Sequence, residues 1–407
     1  MKLFLHAHAT HPDWRMAVAL AAAQINAQRS DAAGAHITHP TLGWAYFSDH
    51  YAPQAEALLA ELQQRWPGVA WVGASGVGVA ANGVEYFDEP ALALMLSDVP
   101  RDQFCVFSGA RPLNQAPAGF EAHTAQVHAD GRTEGLGELI TEMSERTATG
   151  YLFGGLASSR TQPLHLADGV FEGGLSGVAF GPQVTLVSRV TQGCQPVGPV
   201  RRVTEAERNV AMQLDGEPAL ECLLRDLGVS SREPREALPR IRQTLVGLSD
   251  GSDEALSHPG QFGADTRVRH LIGIDPARGG VAVSDEVEMG MQITFCRRDT
   301  EAARRDLVRI CSEIREEVEP EHLPIETALA LHGAEVDGAP HPARRIAGAL
   351  YVSCVGRGGS HFGAPSAELA IIRRALGDVP LVGFFASGEI ARRHLYGYTG
   401  VLTVFPA

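Results

Sequence analysis

The stretch from Ala349 to Glu389 constrains the fold most, because it reads as one complete strand–helix–strand unit. Leu350 to Ser353 is a short apolar run ending at Cys354, and a glycine-rich turn then carries Arg357. Leu369, Ile372 and Leu376 follow at helical spacing, with Arg373 and Arg374 on the other face. Gly377 and Asp378 stop that helix, and Pro380 bars its continuation. Leu381 to Phe385 is a second buried-strand run, after which Ser387, Gly388 and Glu389 begin another turn. Two parallel strands joined by one helix place Cys354, Arg357, Ser387 and Glu389 near one end of a sheet. Small ligands bind at such strand ends in open α/β sheets.

The pattern recurs. Trp44 to Ser48 runs into Asp49, a helix passes Leu58, Leu59 and Leu62, and Val69 to Val72 runs into Gly73. Ala125 to Ala129 runs into Asp130, a helix passes Leu136, Leu139, Ile140 and Met143, and Tyr151 to Phe153 runs into Gly154 and Gly155. Val210 to Leu214 runs into Asp215, a helix passes Leu220, Leu223 and Leu224, and the return strand is His270 to Ile272, reaching Gly273. After each glycine comes a hairpin whose last strand is Leu92–Leu96, Leu175–Phe180, Met291–Phe295 or Val401–Phe405. Four β-α-β-β units at irregular spacing predict an old duplication, not a solenoid of fixed period. Asp49, Asp130 and Asp215 read as helix N-caps, the common use of Asp at such points.

A chain of 407 residues has room for two domains. Gln192 to Pro199 holds two Gly and two Pro and is the best linker, which puts the boundary near residue 200. The expected fold class is α/β (mixed α+β). Two similar domains, residues 1–200 and 201–407, each hold two β-α-β-β units, with sheets packed face to face and helices outside. Further helices are expected from Pro12-Asp13 to Gln28, from Ile241 to Leu248 inside a polar insertion, and from Thr300 to Val318.

A formal net charge of −14 and the lack of a long basic run argue against a nucleic-acid or anionic-membrane partner. The six cysteines are scattered without a CxxC pair, which points to reduced thiols in the cytoplasm and not to a disulfide frame or zinc site. The start of the chain is too short for a signal-peptide core, and Ala17 to Ala23 is far short of a membrane span.

His6 and His8 share one face of a strand, as in barrel-type metal hydrolases, but eight regular βα units do not follow, so no metal is expected. Cys354 beside Arg357 admits a nucleophile with a lowered pKa, for which Glu389, His361 or His332 could act as base. The reading favoured here is binding: Arg357 pairs a ligand carboxylate and Glu389 receives an ammonium group. The alternative is a structural ion pair between the two. Gly154, Gly155, Ser158, Ser159 and Arg160 offer a second candidate, an anion-binding turn just past a buried strand. It lacks the Lys of a phosphate loop, and a plain tight turn is its default.

With these residues in view, most of the chain resembles the FIST family of small-ligand sensory proteins. Tyr46 to Asp49, Trp71 to Gly73 and Leu152 to Gly155 resemble the FIST N region, and Val352 to Arg357 and Val382 to Glu389 resemble FIST C. The resemblance implies a sensory module of signal transduction that binds a small metabolite such as an amino acid. Some relatives bind haem and report nitric oxide to histidine kinases, so a haem-based sensor is the first alternative and a cysteine-dependent hydrolase using Cys354 the second. No output segment is recognisable, so the chain is expected to pass its signal to a separate partner such as a histidine kinase, or not to signal at all.

Overall fold

The structure is a computed structural model in which residues 3–30, 34–230, 234–250, 266–319 and 346–407 are described. Helices and mixed sheets alternate through it. Two compact units are present. The first holds Met1–Thr191, Arg304–Leu395 and Thr399–Ala407, and the second holds Gln192–Ala303 and Tyr396–Tyr398. The first cut falls at the expected linker, but the C-terminal strands return to the first unit instead of completing a second half. Strand pairing explains why.

Three six-stranded sheets build the first unit. In the first sheet the order is β1 (Leu5–Thr10), β6 (Ala91–Ser97), β2 (Leu42–Ser48), β3 (Ala70–Gly76), β10 (His165–Ala167) and β11 (Val170–Phe171). The second runs β7 (Phe104–Phe107), β12 (Leu175–Phe180), β8 (Thr124–Asp130), β9 (Leu152–Ala157), β24 (Glu389–Arg392) and β25 (His394–Tyr396). The third runs β13 (Val187–Gln192), β26 (Thr399–Pro406), β22 (Ile346–Cys354), β23 (Leu381–Ala386), β4 (Gly78–Ala81) and β5 (Val84–Phe87).

Each sheet is centred on a parallel pair joined by a helix: α2 (Ala55–Arg65) links β2 to β3, α3 (Leu136–Glu145) links β8 to β9, and α7 (Ala367–Leu376) links β22 to β23. After the second strand of each pair comes a hairpin, and it joins a different repeat's sheet. Hairpin β4–β5 pairs with β23, β10–β11 with β3, and β24–β25 with β9. The exchange is cyclic, so three repeats, far apart in sequence, form one body.

The same glycine marks each repeat. Gly73, Gly154 and Gly383 stand opposite Ala45, Val127 and Tyr351 in the parallel registers. A Cβ at these positions would lie 1.9, 1.9 and 1.7 Å from the facing carbonyl oxygen, so only glycine lets the two backbones approach this closely. The inner faces of the sheets meet in an aromatic core. Phe405 lies 5.5 Å from Trp44 and 6.0 Å from Phe180, and Tyr46 stacks on Phe384 at 5.1 Å. α1 (Trp14–Arg29) begins as expected, with Asp13 as its N-cap accepting from the Arg15 amide.

The fourth expected copy is built differently. In the second unit β16 (Val210–Leu214) pairs antiparallel with β15 (Arg201–Glu207), β17 (Glu217–Pro218) and β20 (Gly280–Val283). β20 pairs antiparallel with β19 (Arg267–Asp275), β19 with β18 (Leu245–Ser249), and β18 with β21 (Gln292–Arg298). β21 then pairs with β15 and with β14 (Cys194–Pro196), so six antiparallel strands close a ring. The segment His270–Ile272 thus returns in an antiparallel sheet. Its strand is largely half-exposed and begins with Arg267, Arg269 and His270, whereas a central parallel strand is apolar on both faces. α4 (Ala219–Leu227) matches expectation and ends on Gly228 in a left-handed conformation at φ 61°. The helix expected from Ile241 to Leu248 is corrected: α5 is Pro234–Gln243, and the β-rich Leu245–Ser249 forms a buried strand. α6 is Thr300–Val318, with Leu307, Ile310 and Ile314 buried along one face. Among the described residues no helix is long and apolar enough to cross a membrane.

Candidate ligand site at the end of the third parallel pair

Around the carboxyl end of β22 the chain buries an unusual density of polar groups. Tyr351 and Ser353 project from the same face of the strand, two residues apart, and both donate to the Glu368 carboxylate, at 2.6 and 2.9 Å. Arg357, in the short turn after the strand, donates to Glu368 through Nε at 2.8 Å and through a terminal nitrogen. Its guanidinium lies 5.0 Å from the Phe362 ring centre, within range of a cation–π contact. Arg357 is only 1% exposed. Burial would lower its pKa, but the neighbouring Glu368 carboxylate outweighs burial and holds it above the ordinary value. The Tyr351 hydroxyl is pushed up, first by burial and then by the Glu368 charge.

Glu389, at the start of β24, is fully buried. Its Oε2 accepts from the Thr399 amide at 3.1 Å and the Thr399 hydroxyl at 2.7 Å. Among the described residues its Oε1 is buried without a hydrogen-bond partner. Burial pushes its pKa up to about 8, offset only in part by Thr399, the Arg357 charge and the nearby Cys354 thiol. At neutral pH this carboxyl is mostly protonated. Glu85, reaching over from β5, accepts from the Gly359 amide at 2.9 Å, and burial raises its pKa too.

Cys354, Arg357 and Glu389 thus come together as the sequence suggested, but the ion pair does not join Arg357 to Glu389. Arg357 is spent on Glu368. Ser387 is exposed on the turn, and its amide bonds to Leu156. His332 lies outside the described residues.

The second candidate turn is brought to the same junction by hairpin exchange, for Gly155 stands opposite Glu389 in the β9–β24 register. Its groups do structural work. Gly154 makes the close approach described above, and a Cβ on Gly155 would lie 2.7 Å from Val352. The Ser158 amide donates to Ser75 and the Ser387 amide to Leu156, both at 3.1 Å, at equivalent seams between repeats. At the third such seam the Ser158 hydroxyl bridges, accepting from the Val77 amide at 2.9 Å and donating to the Phe385 carbonyl at 2.5 Å. Ser159 accepts from the Thr161 and Gln162 amides, both at 3.0 Å. Arg160 bonds Asp49 through its own amide at 2.8 Å and through Nε at 2.9 Å, and it also reaches Asp88. With two carboxylates answering Arg160, the turn does not present the free cation that an anion site needs.

The N-cap expectation is also corrected. Asp49 holds Arg160, and Asp130 accepts from Arg132 at 2.7 Å and from the Gly173 amide at 3.2 Å. Burial acts to raise both carboxyls, but the adjacent arginines win and hold them below the ordinary range. Asp215 accepts from the Arg202 amide at 3.0 Å. Sequence reasoning missed Glu368, although it carried a signal. Glu368 lies four and eight residues before Ile372 and Leu376, so an acid sits on the buried stripe of α7.

The FIST N domain model matches residues 41–217 and the FIST C domain model residues 219–392. The chain belongs to the FIST family. FIST domains are sensory domains of signal transduction that bind small ligands. The chain is 30% identical over 420 residues to the uncharacterized protein Rv0628c of Mycobacterium tuberculosis, covering 97% of each chain. It is also 30% identical over 415 residues to the uncharacterized protein Mb0898c of Mycobacterium bovis, again covering 97% of each. Neither FIST match coincides with a compact unit, because the FIST C match begins in the second unit and ends in the first.

Proposed function

We propose that this FIST protein is a cytoplasmic sensor of a small amino compound, an amino acid or similar metabolite, bound at Glu389. The carrying observation is a fully buried acid, its pKa raised by burial, whose Oε1 has no partner among the described residues. A buried polar atom left unpaired costs about 1–3 kcal/mol and is a candidate for satisfaction by a ligand. An ammonium group placed beside Glu389 favours the carboxylate and so expels its proton. Arg357 then serves to fix Glu368 and the strand end, not to hold the ligand carboxylate.

Two rival readings fare worse at this site. The hydrolase needs a base for Cys354, and burial pushes the pKa of the nearby Glu389 up to about 8, which favours its protonated form. A haem needs apolar walls and an available axial donor. Here the strand end gathers the polar groups Arg357, Glu368 and Tyr351, bonded to one another. Calorimetry with an amino-acid panel, run in buffers of differing ionisation enthalpy, tests the proposal. A ligand should bind with release of about one proton near pH 7, and Glu389→Gln should abolish that release. Binding without proton release, or a Soret band that Glu389→Gln retains on haem addition, would overturn it.

A further inference from the structure

The second unit carries a cavity of about 650 Å³, within the range of ligand pockets. It is lined by the ends of α4 and α5, by β14 and by Arg297 of β21. Its charges do not cancel. Asp226 is the carboxylate in its wall, and it is consumed by Arg201, which grips it with two bonds at 2.6 and 2.7 Å; both side chains are buried. Arg240 and Arg297 also line the cavity, and among the described residues no carboxylate pairs with either. Arg240 donates to the Leu227 carbonyl at 3.2 Å, at the end of α4. The carboxyl ends of α4 and α5 contribute about half a negative charge each. That leaves an excess of about one positive charge against the two arginines. In a chain of net charge −14, such a concave positive site stands out.

We infer that this cavity is a binding site for a small organic anion bearing a carboxylate or phosphate group. The planar guanidinium fork matches either group with paired hydrogen bonds. Gln195 and Gln243 add amide donors, while Pro196 and Leu227 supply an apolar wall for the carbon skeleton. A cavity of this volume exceeds what a bare inorganic ion fills. The site is built from the second unit's residues, Glu389 belongs to the first, and the two select opposite charges, so it neither requires nor excludes the amino-compound reading.

Calorimetry on the full chain, with succinate, citrate, sn-glycerol 3-phosphate and inorganic phosphate as separate titrants and glycerol as the uncharged control, tests it. At least one organic anion should bind more tightly than inorganic phosphate, weaken as salt is raised, and leave glycerol inert. Arg297→Ala should weaken that anion about tenfold, the double variant Arg240→Ala/Arg297→Ala more, and Glu389→Gln not at all. Among the described residues no side-chain hydrogen bond or ion pair holds Arg297, so its variant stays informative even where Arg240→Ala loosens the end of α4. The carboxylate and phosphate titrants separate the two ligand sources. No binding by any anion, or binding that the double variant leaves intact, overturns the inference.

Discussion

At the end of β2 in the first repeat, Asp49 meets Arg160, whose side chain is 47% exposed. At the end of β22 in the third, Glu368 meets Arg357, whose side chain is 1% exposed. The frames are equivalent: a parallel pair, a crossover helix, a close-approach glycine and an exchanged hairpin. What differs is water. In the first repeat a solvated arginine keeps its acid ionised, whereas in the third the ion pair is sealed and a second acid, Glu389, is pushed into its neutral form. Duplication supplied the scaffold, and the drying of one strand end supplied chemistry that the other lacks.

The largest test of that contrast is stability. Arg357→Ala leaves Glu368 buried without its cation and should cost about 3–5 kcal/mol in urea unfolding. Arg160→Ala should cost about 1 kcal/mol, because the pair is partly in water and Asp49 keeps the residue-160 backbone amide. Equal costs would erase the distinction between the two ends. Next comes the seam. Ser158→Ala strips the bridge between Val77 and Phe385 and should cost about 1–3 kcal/mol, whereas Ser159→Ala, in an exposed turn, should cost less than half of that.

The test sharpest in sign is the pH dependence. Asp49 and Asp130 have depressed pKa values, so their contribution is present above the unfolded carboxylate range and is lost as pH falls through it. Glu389 is raised from 4.5 to about 8, so the folded state holds its proton more tightly than the unfolded chain does. Its contribution is full below 4.5 and is lost as pH rises from there to about 8. Glu389→Gln should flatten that decline and leave the acid limb unchanged. A variant with the same slope as wild type would mean that Glu389 is ionised after all.

Much of the repeat frame was legible, because parallel strands buried on both faces are continuous apolar runs and the second strand of each pair carries a glycine. The unit around Leu381–Phe385 and the helix Thr300–Val318 follow from such periodicity alone. Strand partners were not legible. Nothing local in Val79 or Ile390 says that its hairpin joins another repeat's sheet, since pairing is decided by contacts hundreds of residues apart. The copy at Val210 misled because a short apolar run followed by a helix looks alike in parallel and antiparallel settings. At the site, Cys354, Arg357 and Glu389 were found because strand ends are predictable. Their partners Glu368 and Thr399 were not, since a hydrogen bond has no signature in spacing. Glu368 and Glu389 are both buried, and spacing does not say which of them Arg357 bonds.

The cyclic exchange of hairpins also dictates an order of events as the chain is made. Hairpin β4–β5 emerges early, yet its partner strand β23 is about three hundred residues further along. At synthesis rates of roughly 5–20 residues per second, that hairpin waits many seconds for its sheet. Meanwhile β9 also presents an unpaired edge, because β24 comes still later. Such edges are templates for the wrong partner. The closed antiparallel ring, encoded wholly between the early and late strands, needs no such wait. The first unit therefore closes only when its last repeat arrives, and a ribosome stalled before β23 holds a chain in which β4, β9 and β13 still lack their late partners.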